Sequence, residues 1–430
     1  MATDNNNKIL NFSNKREQNE IHFDYAEREK IQGKNFLNVP NKGNVPRLRF
    51  VGYTDEWKNV KIADIATIVG GGTPDTTISE YWDGDIQWFT PSEIGKSKYI
   101  AKSDRTITNE GLINSSAKIL PKGTILLSTR ATIGECSIAN QECCTNQGFQ
   151  SIIAKNNTTN EFQYYLIQTK KKDLIRNACG STFLEISANE VRKIRCNIPN
   201  IEEQRKIADF LSLLDKRIET QNKIIEDLKK LKVAITQKIS KDRFNKKVML
   251  SELLTERCEK NKDLYPVHSV SVSEGVINQV DYLGRSFAAN DISNYNVVYY
   301  GDIVYTKSPT GDFPYGIVKM SSIITKASVS PLYGVYRPCS ESIGIYLHNY
   351  FCNPLNAKNY LHKLIQKGAK NTINITNKRF LENEISLPSE NLLNKYSLFI
   401  SSFDLKIKLE LKTLLLLQRQ KQYLLQQMFI

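Results

Sequence analysis

The feature that most constrains this fold is an amphipathic heptad pattern that occurs twice. In the first copy, residues at the a and d positions of an unbroken heptad extend over 207–239 and are mostly apolar. Adding 189 to each residue number gives a second heptad over 396–428. The polar interruptions coincide as well, at Gln221 and Lys232 in the first copy and at Glu410 and Lys421 in the second. Two heptads in matched register indicate an internal duplication.

Each heptad predicts a helix of about 38 residues, which would be about 60 Å long. Asn200 is the expected N-cap of the first helix, and Glu203 follows it at capping-box spacing. Pro388, Ser389 and Glu390 provide the start of the second helix.

A long amphipathic helix must bury its apolar stripe, and the matching stripe in this chain is its own copy. The connection between the copies allows parallel or antiparallel pairing. We expect an antiparallel coiled coil, because a duplicated chain then gains a pseudo-two-fold axis, near which Gln221 and Glu410 would meet. The alternative is two independent core helices.

The rest of the chain predicts an α+β fold with two similar globular domains, because short strands alternate with small-residue turns and few helices. In the first domain we expect a helix over 61–65, strands near 66–69, 124–128, 136–139, 151–154 and 195–198, and a helix over 161–177. The second domain repeats this order, with 251–254 standing for 63–66 and 301–305 for 123–127. Trp82 and Trp88 are expected in the core rather than as base-stacking platforms.

These patterns divide the chain into five segments. They are a mobile N-terminal tail (1–45) with a short helix near 15–30, a first globular domain (46–199), a first long helix (200–243), a second globular domain (244–388) and a second long helix (389–430).

Charge and cysteine content indicate the partner and the compartment. The net charge of +14 and the isoelectric point near 9.2 favour a polyanionic partner such as nucleic acid. The sequence has no run of 18 apolar residues and no signal-peptide pattern at its start, so we expect no membrane association. Eight cysteines without CxxC pairs predict reduced thiols and a cytoplasmic location.

Motifs for catalysis are missing from the sequence. The glycine turn Gly70–Gly72 continues into Thr73 and Pro74, which do not open the helix that a dinucleotide or S-adenosylmethionine site needs. No P-loop, no amino-methyltransferase motif and no well-spaced nuclease carboxylates occur. We therefore expect no catalytic residue, cofactor or metal in this chain.

Polar loops with glycine, hydroxyl and basic residues suit contacts to base edges and phosphates. The Arg130 guanidinium can donate two hydrogen bonds to a guanine or contact phosphates. Asn146 and Gln147 are amides whose side chains can hydrogen-bond to adenine. The alternatives are a surface ion pair for Arg130 and a simple turn for the amides. The candidate DNA-binding residues are Gly72, Thr73, Thr90, Ser92, Ser128, Thr129, Arg130, Thr132, Asn146, Gln147, Ser181 and Thr182 in the first domain and Lys307, Ser308, Thr310, Lys326, Lys370 and Asn371 in the second.

From about Val45 onward, the chain resembles the specificity subunits of type I restriction–modification systems. The phrases that carry the resemblance are VPRLRF, GGTP, YWDGDIQWFTPSEI, LPKGTILLSTRATIG, NQGFQSII and, most specific, IPNIEEQRKIADFLSLLDKRIETQNKIIEDLKKLK. The tail before Val45 departs from the pattern, and YTKSPTGDFPYG in the second half matches LLSTRATIG only loosely.

The resemblance implies that segments 46–199 and 244–388 are target-recognition domains, each reading half of a bipartite asymmetric site on double-stranded DNA. The long helices would be spacers that set the gap between half-sites. The implied partners are methylation subunits, two of them in the family's usual arrangement, and restriction subunits. Those partners carry the S-adenosylmethionine, ATP and Mg sites, so this chain would itself be non-catalytic and would serve DNA methylation and phage defence.

We therefore expect a DNA-reading scaffold whose outer helix faces dock the methylation subunits. The residues expected on those faces are Glu202, Arg205, Lys216, Glu219 and Lys229, for which a solvated surface is the alternative. Two other functions fit parts of the sequence. One is a coiled-coil adaptor that binds DNA without reading bases, and the other is a nuclease or methyltransferase that acts alone.

Overall fold

The computed structural model describes residues 36–38, 43–180, 184–367 and 373–430. The chain forms two compact units. The first unit combines the residues up to Thr220 with Leu414–Ile430, and the second unit comprises Gln221–Thr413. The first long helix (Ile201–Ser240) and the second long helix (Glu390–Met428) each contribute to both units.

The first unit is an α+β assembly of short strands. Its strands are Phe36–Asn38, Leu48–Phe50, Lys58–Lys61, Ala66–Gly70, Trp82–Phe89, Tyr99–Ile100, Arg105–Ile107, Ile125–Leu127, Cys136–Ala139, Cys144–Thr145, Gln150–Ala154 and Arg195–Ile198. Besides the long helices, its helical segments are Ile62–Ile65, the 3-10 turn Ser79–Tyr81, Asn109–Ile113, Asn160–Thr169, Lys171–Arg176 and Ala188–Lys193.

The second unit has a similar make-up. Its strands are Lys246–Met249, Leu254–Glu256, His268–Ser271, Gly275–Asn278, Asn296–Val298, Ile303–Thr306, Ile317–Met320, Ala327–Val329, Gly334–Pro338, Gln366–Lys367, Ile373–Asn374 and Glu384–Leu387. Its shorter helices are Leu250–Leu253, Gln279–Leu283, Glu341–Phe351, Pro354–His362 and Asn377–Phe380.

Strand order supports the duplication that the helices predict. The main sheet of the first unit has the order Ala66–Gly70, Gln150–Ala154, Ile125–Leu127, Cys136–Ala139, Tyr99–Ile100. The main sheet of the second unit has the order Leu254–Glu256, Gly334–Pro338, Ile303–Thr306, Ile317–Met320. The first four strands therefore correspond one to one, and the expected α+β repeat is confirmed.

In the first unit, the long helices pair through their heptad positions. The buried residues on this seam include Ile207, Leu211 and Leu214 from the first helix and Leu417, Leu424 and Met428 from the second. An ion pair of 2.7 Å joins Lys421 Nζ to Asp215 Oδ1 beside the seam. Buried apolar side chains therefore make most of the contact between the two long helices in this unit. The ion pair between Lys421 and Asp215 fixes how the helices are aligned.

In the second unit, contacts between the long helices run in the antiparallel direction. Gln221 Nε2 donates to the carbonyl oxygen of Glu410 at 3.1 Å and also to its carboxylate. Further along the first helix, the Thr236 and Tyr396 hydroxyls lie 2.8 Å apart. Residues further along the first helix thus contact residues earlier in the second helix, which is the antiparallel arrangement.

A second ion pair in this unit repeats the one in the first. Lys232 Nζ lies 2.5 Å from Asp404 Oδ1. The duplication maps Asp215 onto Asp404 and Lys232 onto Lys421, so each unit contains one copy of the same aspartate–lysine pair across its helices.

The start of the first long helix differs in part from the sequence expectation. Asn200 is the N-cap, because its Oδ1 accepts a hydrogen bond from the Glu203 amide at 2.9 Å. The Glu203 carboxylate does not complete a capping box. It instead accepts two hydrogen bonds of 2.8 Å from the Arg49 guanidinium, and both side chains are almost fully buried. A bidentate charge-assisted pair outweighs a single cap bond to the backbone.

The boundary of the N-terminal tail also differs from the expected one. The strand Phe36–Asn38, within the segment assigned to the tail, pairs antiparallel with Leu48–Phe50. Phe36 packs against Phe50 and Phe210, with ring centroids 4.7 and 5.3 Å away. The helix expected near 15–30 lies outside the described residues.

The single helix expected over 161–177 is two helices, Asn160–Thr169 and Lys171–Arg176. Lys170 leaves the helical conformation, with φ −90° and ψ 7°. The Thr169 hydroxyl donates to the Leu166 carbonyl at 2.7 Å. Such side-chain bonds compete with the helical ladder, which gives a local reason for the break.

Candidate nucleic-acid interface

Four loops of the first unit meet around Gly148. The Thr129 amide and hydroxyl donate to the Gly148 carbonyl oxygen at 2.9 and 3.0 Å. The Asn146 side chain accepts from the Gly148 amide at 2.8 Å, and the Asn146 amide donates to Phe89 O at 3.1 Å. We call the loops 71–73, 89–92, 128–132 and 146–148 the loop patch. It brings together every candidate residue of the first domain that the structure describes.

The glycine turn is fixed by contacts inside the protein. The Gly72 amide donates to Thr145 O at 2.8 Å, and the Gly72 carbonyl accepts from Trp88 Nε1 at 2.8 Å. A Cβ atom at Gly72 would overlap the backbone of Ala117. Gly72 therefore permits a close backbone approach. The neighbouring Thr73 hydroxyl donates to Gln147 Oε1, which links the glycine turn to the amide loop.

Trp82 and Trp88 lie in the core, as expected. Their exposed fractions are 7% and 4%, and their rings meet edge to face with centroids 5.1 Å apart. Trp82 Nε1 donates to the Asp75 carbonyl at 3.0 Å. Arg105 covers Trp82 with its guanidinium 3.5 Å from the ring centroid. Both indoles thus pack in the core and hydrogen-bond to the backbone of the segment that contains Gly72 and Asp75.

The loop after Phe89 is shaped by Glu93. Its carboxylate accepts from the Thr90 amide and hydroxyl, each at 2.6 Å. Ser92 is exposed, and its hydroxyl lies 3.0 Å from that of Thr90. Thr90 therefore holds the loop, and the exposed Ser92 lies beside it.

Arg130 lies at the exposed tip of the loop after strand Ile125–Leu127. Its side chain is 43% exposed, and its Nε lies 3.0 Å from Glu185 Oε1. Behind it, the Thr132 hydroxyl donates to Ser128 Oγ at 2.9 Å. A cleft of about 960 Å³ adjoins the loop, lined by Arg130, Ala131, Thr132, Ile133, Glu135, Lys171, Ile175, Leu184 and Glu185. Glu185 thus holds the guanidinium at the rim of an open cleft.

Burial separates the candidates of the loop patch into three groups. The buried residues, whose polar groups bond within the protein, are Gly72, Ser128 and Thr129. The residues with an exposed side chain are Ser92, Arg130, Thr132 and Gln147, and Thr73, Thr90 and Asn146 are partly exposed. Ser181 and Thr182 lie outside the described residues. DNA contact by any of them remains a prediction.

In the second unit, the candidates do not form one patch. Lys307, Ser308 and Thr310 follow strand Ile303–Thr306, and burial lowers the pKa of the Lys307 ammonium. Lys326 lies instead beside Glu259, with Nζ 3.9 Å from Oε1. The Glu259 carboxylate neighbours the ion pair between Arg257 and Asp302. Asp302 directly precedes the strand Ile303–Thr306. The strand therefore separates Lys326 from the Lys307 loop. Lys370 and Asn371 lie outside the described residues.

Three residues that shape the loop patch or its arginine were not among the candidates. Glu185 orients Arg130, and Gly148 accepts the bonds that join two loops. Pro91 packs over Gly148, with its Cγ 3.0 Å from where a Cβ would stand. Gly148 and Pro91 occur in the phrases NQGFQSII and TPSEI, so the motifs contained a signal for them. Nothing local identifies Glu185 as the partner of Arg130.

Within the described ranges, no group of three histidine, cysteine or acidic side chains is placed to hold a metal ion. Nor does any helix there have the length and apolarity to cross a bilayer. The five residues expected on the outer face of the first long helix are all exposed, namely Glu202, Arg205, Lys216, Glu219 and Lys229.

Comparison with known proteins connects this geometry to a family. Residues 54–230 match the family model of the type I restriction modification DNA specificity domain. Over 183 residues the chain is 42% identical to the type I restriction enzyme MjaIX specificity subunit of Methanocaldococcus jannaschii, covering 41% of this chain and 42% of that protein. It is 28% identical over 167 residues to the EcoR124I/EcoR124II specificity subunit of Escherichia coli, covering 37% of this chain and 41% of that protein. The chain thus matches about two fifths of the length of these relatives.

Solved structures extend the likeness to the fold of most of the chain. The type I S subunit from M. genitalium superposes with a TM-score of 0.53 at 15% identity, over 90% of this chain and 99% of that one. A structure from work on complex assembly of the type I restriction–modification system gives 0.53 at 14% identity, over 86% and 96%. The resemblance seen in the sequence motifs is confirmed: residues 54–230 match the type I restriction modification DNA specificity domain, and the chain has the fold of the solved type I S subunits.

Proposed function

We propose that this chain is the non-catalytic, DNA-reading subunit of a type I restriction–modification complex. In this role each unit reads one half of a bipartite, asymmetric target on double-stranded DNA. Methylation and restriction subunits bind the chain and supply the chemistry together with S-adenosylmethionine, ATP and Mg. The expected cytoplasmic location belongs to the same proposal.

The observation that carries the proposal is the loop patch. Loops from four separate parts of the sequence converge at Gly148, inside a domain matched to the specificity family. Buried groups fix the loops, while Arg130, Gln147 and Ser92 extend outward. A rigid scaffold that presents an arginine, an amide and a hydroxyl suits direct reading of base edges.

The strand order supports a second reader in the same chain. Both main sheets share four strands in the same order, yet the exposed loops differ, with Arg130 in one unit and Lys307 in the other. Two sheets with the same strand order but different exposed loops suit the recognition of two different half-sites. The two long helices join both units and would couple the two readers.

The test is a genome-wide map of adenine methylation in cells that carry the methylation subunit, with and without this chain. We expect one gapped two-part motif to lose methylation when the chain is absent. Methylation that is unchanged, or lost without any sequence preference, would contradict base reading. The second result would point to an adaptor that binds DNA without reading it.

The methylation subunits also need a docking surface, and the second long helix offers one. Its side opposite the buried seam has exposed leucines at heptad spacing: Leu398, Leu405, Leu409 and Leu416. The duplication places polar residues at the matching positions of the first helix: Asp209, Lys216, Thr220 and Asp227. A row of leucines at this spacing suits an apolar seam with a partner helix. We propose that a helix of a methylation subunit packs there.

Replacing Leu405 and Leu409 together by glutamine should weaken binding of the methylation subunit at least about tenfold, because each buried leucine contributes about 1.5–3 kcal/mol. Leu405 and Leu409 are 70% and 55% exposed in this chain, so the protein itself should keep its stability. Leu411→Gln is the matched control, since Leu411 is 44% exposed but lies on another side of the helix. Titration with purified methylation subunit measures the affinity. Equal losses for the control and the double variant would rule out this face.

A further inference from the structure

A cluster of cysteine, histidine and lysine lies in the second unit, outside the loops considered above. Lys319 belongs to strand Ile317–Met320, His348 to helix Glu341–Phe351, and Cys352 follows that helix directly. Lys319 Nζ donates to Cys352 Sγ at 3.2 Å, and His348 Nε2 lies 3.7 Å from the same sulfur. Two nitrogen groups therefore converge on one thiol.

The hydrogen bonds fix the tautomer of His348. The Met320 amide donates to His348 Nδ1 at 3.0 Å, so Nδ1 must be the acceptor. In a neutral imidazole the remaining nitrogen then carries the proton. Nε2–H consequently faces Cys352 Sγ and donates to it. Both neighbours of the sulfur are donors, which favours the anionic form of the thiol.

The burial of Lys319 points to the same charge state. The residue is only 6% exposed, and among the described residues the acceptor found for its ammonium is Cys352 Sγ. Burying an ammonium without a counter-charge is costly. A thiolate provides that charge, whereas a neutral thiol is a weak acceptor.

From this geometry we propose that Cys352, Lys319 and His348 form a reactive thiolate site that takes hydroperoxides and similar soft electrophiles. In the reaction, the Cys352 sulfur attacks one peroxide oxygen, an S–O bond forms and the O–O bond breaks. The sulfur is oxidised by two electrons to sulfenic acid, and the peroxide is reduced. The leaving hydroxide or alkoxide takes a proton from solvent or from the Lys319 ammonium.

Titration behaviour agrees with this assignment. Burial alone would raise the pKa of the Cys352 thiol, but the neighbouring His348 and Lys319 together outweigh it and hold the pKa below its ordinary value of 9.0. Burial raises the pKa of the buried thiols Cys136 and Cys143 to about 12. On the second long helix, burial raises the pKa of the Tyr396 phenol, the Thr236 hydroxyl lowers it, and the charges of Asp404 and then Cys352 raise it further.

The test measures alkylation of the full chain by iodoacetamide from pH 5 to 9, with mass spectrometry to resolve each cysteine. The rate at Cys352 should rise with a midpoint below pH 9.0, the ordinary pKa of a cysteine thiol. Lys319→Met keeps the apolar stem but removes the charge, so it should move the midpoint upward by about one pH unit or more. His348→Gln keeps an acceptor for the Met320 amide and should shift the midpoint in the same direction. It serves as the second variant if Lys319→Met fails to fold.

A second readout follows the oxidation itself. Hydrogen peroxide with a 1,3-diketone trap should give a sulfenic-acid adduct at Cys352, and this adduct should be lost in Cys352→Ser. Cys339→Ser is the matched control, because Cys339 is exposed in the same unit, and the adduct at Cys352 should persist there. A midpoint that Lys319→Met leaves unchanged, or modification of Cys352 only after denaturation, would overturn the proposal.

Discussion

Replacing Glu203 by glutamine should lower the free energy of unfolding of the first unit by about 3–5 kcal/mol. Glu203 and Arg49 form a bidentate pair of 2.8 Å, and their side chains are 1% and 3% exposed. Glutamine preserves the shape but removes the charge, so the buried Arg49 guanidinium would lose its counter-charge. Removing one partner of such a pair costs more than the pair itself contributes.

The chain offers a direct spectroscopic measurement of this effect. All three tryptophans, at positions 57, 82 and 88, belong to the first unit. Tryptophan emission during denaturant unfolding therefore follows that unit alone. Glu202→Gln is the matched control, since Glu202 is the exposed neighbour on the same helical turn, and it should change stability by less than about 0.5 kcal/mol.

A double replacement separates the value of the ion pair from the cost of breaking it. Arg49→Met with Glu203→Leu substitutes apolar side chains of similar volume, and such exchanges of buried pairs are often neutral or stabilising. The double variant should therefore recover most of the stability that Glu203→Gln loses. If Glu203→Gln unfolds no more easily than Glu202→Gln, the pair does not anchor the segment around Arg49 to the long helix.

Periodicity made the long helices predictable from the sequence, because every a and d position of both heptads is buried or half-buried. The observed bounds, Ile201–Ser240 and Glu390–Met428, lie close to the expected ones. Local patterns failed where a distant residue changed the outcome. Glu203 has the spacing of a capping box, but Arg49, 154 residues earlier, captures its carboxylate. Local signals do not reveal such a partner.

The candidate site shows the same division. Motifs identified the loops of the first unit, and the fold brings these loops together at Gly148. Sequence alone could not separate Thr129, which faces inward, from Arg130, which faces outward, because that depends on how the loop leaves its strand. In the second unit, Lys326 and Lys307 looked equivalent as basic loop residues, yet a strand lies between them.

Replacing Arg130 by alanine should relax recognition at one position of one half-site by about 1–3 kcal/mol, or about 5- to 150-fold. Arg130 extends from the loop patch with its guanidinium held by Glu185 at 3.0 Å, an arrangement that leaves the remaining N–H groups able to fork onto a guanine. The measurement is binding of the complex with its methylation subunits to the mapped target and to its single-base variants.

Two matched variants distinguish the roles that Arg130 could have. Arg130→Lys keeps the charge but loses the planar fork, so base reading predicts that it loses discrimination almost as fully as alanine. A phosphate contact predicts that lysine retains affinity. A phosphate contact also predicts that Arg130→Ala weakens binding to all DNA sequences equally. The slope of log affinity against log salt concentration should then fall by about one.

Glu185→Gln tests the remaining role, in which Arg130 only completes a surface ion pair. That pair is exposed by about two fifths on each side, so it contributes at most about 1 kcal/mol to stability. If Arg130 reads a base, Glu185→Gln leaves the preferred base unchanged, because the guanidinium remains and only its orientation loosens. If the ion pair is the whole role, Arg130→Ala and Glu185→Gln give the same small change in stability and leave the methylated motif intact. A motif that Arg130→Ala leaves unchanged at every position would therefore remove Arg130 from the DNA-reading residues and leave Ser92, Thr132 and Gln147 as the other exposed candidates of the loop patch.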